Sequence, residues 1–261
     1  PAAVHRTAYD WLHAPETDSA ALTVEVDEPD FGGVRQIGVQ TWLASTDAAY
    51  MQPKSAKPLT SEELAALINE AQMNPAGEND AVSNEPSSRG STPILQGLRV
   101  LDLSNVLAGP ASARPLAEYG AEVIKIEPPE AGDGYRNFAL MASSPTSDVN
   151  YTWEMDNRNK RSLALNLKTE EGRKVLRHLV AECDVYITNM PHPMRREWGL
   201  TYEDLAEINP RLIYGSLTAY GELGPERDRE GFDLVAYWAR SGLMDLVRAP
   251  GADPALSLIH I

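Results

Sequence analysis

Six basic side chains crowd the stretch NRNKRSLALNLKTEEGRK: Arg158, Lys160, Arg161, Lys168, Arg173 and Lys174. In a chain whose formal charge is −15, such a local excess suits a phosphate-rich ligand, since phosphate oxygens accept charge-assisted hydrogen bonds. A solvated loop and helix face would look the same in composition, and both readings stay open. A second chemistry is suggested just upstream, where a strand, a loop, a helix and a second strand end on Glu127. That layout mimics a dinucleotide-binding unit, in which the acid holds a ribose hydroxyl. Its glycines are wrong: the turn DLSNVLAGPASARP has only Gly109, followed by Pro110, and no G-x-G-x-x-G. NAD-type binding is therefore disfavoured.

Other chemistry is thinner. Cys183, the single cysteine, sits at a strand start in AECDVYI and reads as a buried structural thiol. One thiol excludes a disulfide framework and a thiolate zinc cage. His5, His13, His178, His192 and His260 show no metal-ligand pairing at helical spacing, so no metal is expected. No G-x-S-x-G marks a serine nucleophile.

The elements that must position these groups alternate. From residue 98 onward, LRVLDLS (98–104), AEVIKIE (121–127), RSLALNL (161–167), CDVYITN (183–189) and RLIYGSL (211–217) read as strands. Between them come a helix through Leu116 to Tyr119 with Gly120 as C-cap, a helix over 169–182 capped by Thr169, and a helix over 201–209 stopped by Pro210. FDLVAYWARSGLMDLV (232–247) opens a last helix, and 128–157 reads as a loop. The expected fold class is α/β: a Rossmann-like, mostly parallel sheet with helices on both faces, which binds ligands outside the carboxyl ends of its strands. Ahead of it, ALTVEV (21–26) and VRQIGVQTWL (34–43) read as strands and TSEELAALINEA (60–71) as a helix, with Thr60 and Glu63 in a capping-box pattern. Residues 73–93, rich in Pro, Gly, Ser, Asn and acid, read as a linker. This divides the chain into 1–72, the linker 73–93, and 94–261.

Charge narrows the partners. Residues 1–93 carry net −9 and residues 94–261 net −6. An acidic surface argues against a nucleic acid or an anionic membrane as partner, and no run approaches the ~20 apolar residues of a membrane span. A reducing, cytoplasmic compartment fits the single cysteine. The chain opens at Pro1 with neither Met nor signal peptide, and is read as a fragment.

Four stretches together carry a resemblance: LQGLRVLDLSNVLAGPASARPLAEYGAEVIKIEPPEAGD, NRNKRSLALNLKTEEG, CDVYITNMPHPMRREWGLTYEDLAEINPRLIYGSLTAYGELGP and GFDLVAYWARSGLM. In this order and spacing, over about residues 95–248, the sequence resembles class III CoA-transferases, the CaiB/BaiF family. The resemblance implies a Rossmann-like large domain plus a small domain, in an interlocked homodimer or, in a tandem protein, an intramolecular pseudo-dimer. It implies transfer of coenzyme A from an acyl-CoA to a small carboxylic acid through an aspartyl-acyl anhydride, with no cofactor beyond CoA as co-substrate and no metal.

Carried over by position, Asn105, Val106, Leu107 and Ala108 match the loop along the CoA thioester arm. Leu165 and Lys168 match an adenine and phosphate contact pair, and Asn189 and Met190 the pair after the next strand. Pro128 stands where relatives often carry a basic CoA contact. Glu197 stands where they usually have an arginine, with Arg195 and Arg196 just upstream. No catalytic residue is assigned, because the nucleophilic Asp is expected a few residues beyond Ile261; Asp253 comes too early, in the turn PGADPA. The terminal LSLIHI does not resemble the family. FGGVRQIGVQTWLASTDAAYMQPKSAKPLTSEELAALI more weakly resembles the family's C-terminal tail, so 1–72 reads as the end of an upstream copy or an accessory segment, and 94–261 as the start of a second copy. Tandem organisation suggests dimethylsulfoniopropionate or a similar small acid as substrate. The alternatives are an α-methylacyl-CoA racemase-like enzyme, disfavoured because Phe232 precedes Asp233 where a proton-carrying histidine is needed, and a non-catalytic copy that scaffolds its tandem partner.

Overall fold

A computed structural model describes residues 13, 23–28, 32–37, 57–73, 93–140, 146–147, 149–223, 225–239, 245 and 251–252. Nearly all of the linker, LSLIHI, Asp253 and the strand segment 38–43 lie outside the described residues.

Two strands, β1 (Thr23–Glu28) and β2 (Gly32–Ile37), form an antiparallel ribbon. β3 (Lys57–Pro58) and helix α1 (Ser61–Met73) follow. The regular part then runs β4 (Arg99–Leu103), α2 (Ala108–Glu118), β5 (Glu122–Glu127), a 3-10 segment (Gly134–Leu140), α3 (Tyr151–Asn157), β6 (Arg161–Ala164), α4 (Glu170–Ala181), β7 (Val185–Thr188), α5 (His192–Trp198), α6 (Tyr202–Ile208) and β8 (Ile213–Ser216). A π-helical segment covers Leu234–Ala239. The expected α/β class is what the chain adopts: a six-stranded sheet of order β3-β6-β5-β4-β7-β8, parallel at every pairing.

Side-chain parity explains the layers. Successive residues of a strand face opposite sides of a sheet. Leu101, Leu103, Ile124, Ile126, Leu163 and Tyr186 pack on one face with Leu176, Leu179 and Val180 of α4 and Leu205 of α6. Val100, Val123 and Ile187 pack on the other with Ala113 and Ala117 of α2. On this second face the pattern changes along the strands. Val100 is followed at the next inward position by Asp102, and Val123 by Lys125 and then Glu127, all buried. The amino half of the layer is therefore apolar and the carboxyl half is charged.

Helix ends follow local chemistry. Thr169 accepts from the Gly172 N–H at the start of α4, as expected. Thr201 and Asp204 form a reciprocal capping box on α6, and Thr60 and Glu63 do the same on α1. Gly199 ends α5 in the left-handed conformation, φ 65°, where a side chain would be strained.

Several elements were not expected, among them α5 and the 3-10 segment. The 128–157 stretch read as loop contains α3, capped by Asn150, and residues 57–58 add a sixth strand. Lys57 donates its N–H to the Lys160 carbonyl and Leu59 to that of Ser162. Leu59 and Leu64 pack against the main core, and Glu63 pairs with Arg161. Two residues of strand, one of them a proline, fall below any periodicity signal.

Candidate functional site

From β4 the chain moves outward through β5 and β6, then returns to place β7 on β4's other side. The order of winding reverses between β4 and β7. At such a switch point the loops leaving the two strands diverge to opposite faces and open a crevice above the carboxyl ends. The β4 loop supplies Ser104 to Leu107, and the β7 loop supplies Asn189 and Met190.

The two loops are tied together across this crevice. The Asn105 N–H donates to Asn189 Oδ1 at 2.8 Å, and Asn189 Nδ2 donates back to the Asn105 carbonyl at 2.8 Å. Val106 holds φ 68°, a left-handed backbone that is strained for a β-branched residue. Leu107 and Ala108 are exposed. α2 starts at Ala108 with no side-chain cap, so its first-turn N–H groups, the positive end of the helix, lie beside the crevice. Gly109 lets the helix approach this closely, because a Cβ there would overlap the Ser104 side chain.

Beneath the loop lies a layer of buried charge. Lys160 is 1% exposed. Its Nζ donates to Asp102 Oδ2 at 2.9 Å, the Pro110 carbonyl at 2.8 Å and Asn157 Oδ1 at 3.1 Å. Burial would raise the Asp102 carboxyl, but Lys125, Lys160 and the Ser104 hydroxyl together hold it below its ordinary value. Lys125 Nζ pairs with Asp133 Oδ2 at 2.9 Å and donates to the Ser104 carbonyl. Farther along the edge, Glu127 accepts from Arg136 Nε and Nη2 at 2.7 Å each, from the Ser162 hydroxyl and from the Asp133 N–H. Burial opposes ionisation of Glu127, yet these donors, Arg136 first, hold its pKa below the ordinary value. Arg136 in turn lies 3.5 Å over the Trp153 ring.

The residues singled out in the sequence thus fall along one edge. Asn105 to Ala108 and Asn189 flank the crevice. Leu165 and Lys168 follow β6, two strands away, with the Leu165 N–H bonded to the Glu127 carbonyl. Met190 is buried in the core; its N–H donates to Thr188 Oγ1 and its carbonyl accepts from Arg195. Most of the basic cluster is committed internally. Arg158 pairs with Glu118, Lys160 with Asp102, Arg161 with Glu63 and Glu122, and Arg173 with Glu170, whereas Lys168 and Lys174 are exposed. Arg195 is buried and donates to Ser216 Oγ, and Arg196 pairs with Asp228 at the surface. Cys183 is the buried thiol expected, and burial pushes its pKa up. Among the described residues no His, Cys, Asp and Glu side chains cluster as a metal would require, and no helix is long and apolar enough to cross a membrane.

Residues 95–261 match CoA-transferase family III. The chain belongs to this family. Among its relatives, the cinnamoyl-CoA:phenyllactate CoA-transferase of Clostridium sporogenes is 41% identical over 165 residues, covering 63% of this chain and 40% of that protein. The succinyl-CoA:glutarate CoA-transferase of Homo sapiens is 43% identical over 161 residues, covering 61% and 36%. The crystal structure of a CaiB/BaiF family protein from Brucella suis superposes with a TM-score of 0.58 at 38% identity, over 65% of this chain and 45% of that one. The chain therefore spans less than half the length of these relatives. Strands β4 to β8 of the sheet lie within the matched residues.

Sequence reasoning missed Lys125, Asp133 and Asn157, and left Lys160 open between a phosphate contact and a solvated face, whereas it is a buried partner of Asp102. The signal for Lys125 was available. AEVIKIE places a lysine among Val123, Ile124 and Ile126 in a strand buried on both faces, where an ammonium must have a buried acid as partner.

Proposed function

We propose that the protein to which this chain contributes moves coenzyme A between an acyl-CoA and a carboxylic acid, and that the carboxyl edge described above holds the CoA moiety. The observation that carries this reading is the convergence of Asn105–Ala108 and Asn189 on the switch-point crevice, with Lys168 exposed farther along the same edge. In this arrangement the thioester arm runs along Asn105, Val106, Leu107 and Ala108, while Leu165 and Lys168 meet the adenine and phosphate end. Asn189 braces the loop, and Met190 contributes through its backbone.

The chemistry is nucleophilic. A carboxylate attacks the thioester carbon, the carbon–sulfur bond breaks, and CoA leaves as the thiolate. The acyl group is held as an anhydride until the thiolate attacks the enzyme carbonyl and releases the donor acid; the acceptor carboxylate then displaces CoA to form a second anhydride, and the returning thiolate attacks its acyl carbon, giving the new acyl-CoA and freeing the enzyme carboxylate. The edge carboxylates are poorly placed for attack, since Asp102 and Asp133 are engaged by buried lysines and Glu127 by the half-buried Arg136. The family resemblance puts the nucleophilic Asp a few residues beyond Ile261, a reading that the engagement of these carboxylates supports, and the isolated chain is expected to bind CoA without turning it over. Two of the relatives are named for CoA transfer involving phenyllactate and glutarate, which supports a carboxylic acid as acceptor. The tandem reading of 1–72 and 94–261 makes dimethylsulfoniopropionate or a similar small acid the substrate to try first, and an interlocked pair of copies in the cytoplasm the working form.

The experiment is acyl trapping. The 261-residue chain and the full reading frame are each incubated with acyl-CoA and then hydroxylamine. A hydroxamate on an Asp outside residues 1–261, and none within them, is expected. A hydroxamate on any carboxylate of residues 1–261 would overturn the placement of the nucleophile.

A further inference from the structure

Val106 stands out because its backbone is in the left-handed region, φ 68°, and, unlike Glu130 and Asn159, which share that region, it is β-branched. Such a conformation persists only where the surroundings over-determine it. Its N–H donates to Asp133 Oδ1 at 2.9 Å. Asp133 is fully buried and reaches the loop from the far end of the β5 crossover, 27 residues on. The same Oδ1 accepts the Tyr135 N–H at 2.9 Å, and the other oxygen pairs with Lys125 at 2.9 Å. Its own N–H donates to Glu127 at 2.9 Å. Asp133 Oδ1 thus ties the Val106 N–H to the Tyr135 N–H, while Oδ2 lies in ion-pair contact with Lys125 without a hydrogen bond of its own. From the other side of the crevice, the Asn189 amide fixes the preceding residue.

We infer that Asp133 is a positioning residue that holds Val106 in its left-handed conformation and so sets the shape of the loop that receives the ligand. Lys125 fixes the carboxylate, the carboxylate fixes the Val106 N–H, and the bend there turns Leu107 and the start of α2 toward the crevice. The ligand side of this inference rests on the reading of Asn105–Ala108 as the CoA contact; the loop geometry does not.

The test separates the two. In the isotope-labelled 261-residue chain, the Cα and Cβ chemical shifts of Val106 report its backbone without any ligand. They are expected at left-handed values in the wild type and displaced toward extended values in Asp133→Asn. CoA binding by calorimetry at fixed salt should fall by about ten-fold or more in Asp133→Asn, the scale of a charge-assisted hydrogen bond. Adding Val106→Gly should restore most of that loss, because glycine adopts the bend unaided. A residue with a merely structural role would not be rescued this way. Left-handed shifts persisting in Asp133→Asn, or a double variant that binds no better than Asp133→Asn, would overturn the inference. Should Asp133→Asn fail to fold, Lys125→Met with Asp133→Leu removes both charges together and is read by the same criteria. If the wild-type chain takes up no CoA, the assignment of the edge as the CoA site falls, and the Val106 shifts alone decide the role of Asp133.

Discussion

Lys160 shows how one residue's chemistry is set by depth. Its ammonium is enclosed by Asp102, Asn157 and the Pro110 carbonyl, and burial pushes its pKa down while Asp102 pushes it back up. Removing one partner of such a pair leaves a charge without compensation. Lys160→Met should therefore cost about 3–5 kcal/mol in unfolding free energy by urea titration, and Lys160→Met with Asp102→Leu should cost less than Lys160→Met alone. Lys168 is the contrasting case: exposed and outside the internal network, it should leave stability unchanged when replaced by alanine. CoA affinity should fall by about 1–2 kcal/mol in that variant, and an unchanged affinity would remove Lys168 from the site. In composition the two lysines were indistinguishable, each a cation in NRNKRSLALNLK. What separates them is the turn from α3 into β6, which sends Lys160 inward and leaves Lys168 beyond the strand end.

At the scale of elements, the contact between the start of α2 and the end of β4 decides the crevice. Gly109→Ala would push a methyl into the Ser104 side chain. An overpacked contact of this kind costs about 1–3 kcal/mol, measurable as a lower denaturation midpoint, and CoA binding should weaken with it. Strand and helix alternation from residue 98 onward was legible, because hydrophobic runs, Thr169 at a cap and Pro210 at a helix end each act locally. Helix α3 was not, since its apolar residues are few and it is held by Asn150, by Trp153 and by contacts with α2 that lie far off in sequence. The crevice was legible only as a general rule of parallel sheets. Its actual place between β4 and β7 depends on strand order, which no local pattern carries. The loop residues Asn105 to Ala108 and Asn189 came from family resemblance, while Asp133, which holds them, sat unremarked in the quoted PEAGD.

Over the whole molecule, two features link stability to surroundings. The first is pH. Glu127 and Asp102 are carboxylates whose folded pKa values lie below their ordinary ones. Each therefore contributes stability that is fully present above the ordinary carboxylate range and is lost as pH falls through the lowered folded value. Glu127→Gln should flatten the acid limb of an unfolding free energy profile, and a limb as steep as the wild type's would contradict the ion pair with Arg136. The second is the sheet edge. β3 pairs along the edge of β6 while α1 packs on α4, and an uncovered edge strand invites pairing with another chain. A chain beginning at Pro93 should unfold at lower denaturant and self-associate in light scattering, whereas a monomer of unchanged stability would show that 57–73 contributes nothing to the sheet.

The claim on which the rest depends is that CoA lies along the carboxyl edge at the switch point. Hydrogen–deuterium exchange of the 261-residue chain with and without saturating CoA tests this most directly. Slowed exchange confined to residues 105–108, 165–168 and 189–190 is predicted. Protection elsewhere, or none at these loops while calorimetry shows CoA bound, would contradict it.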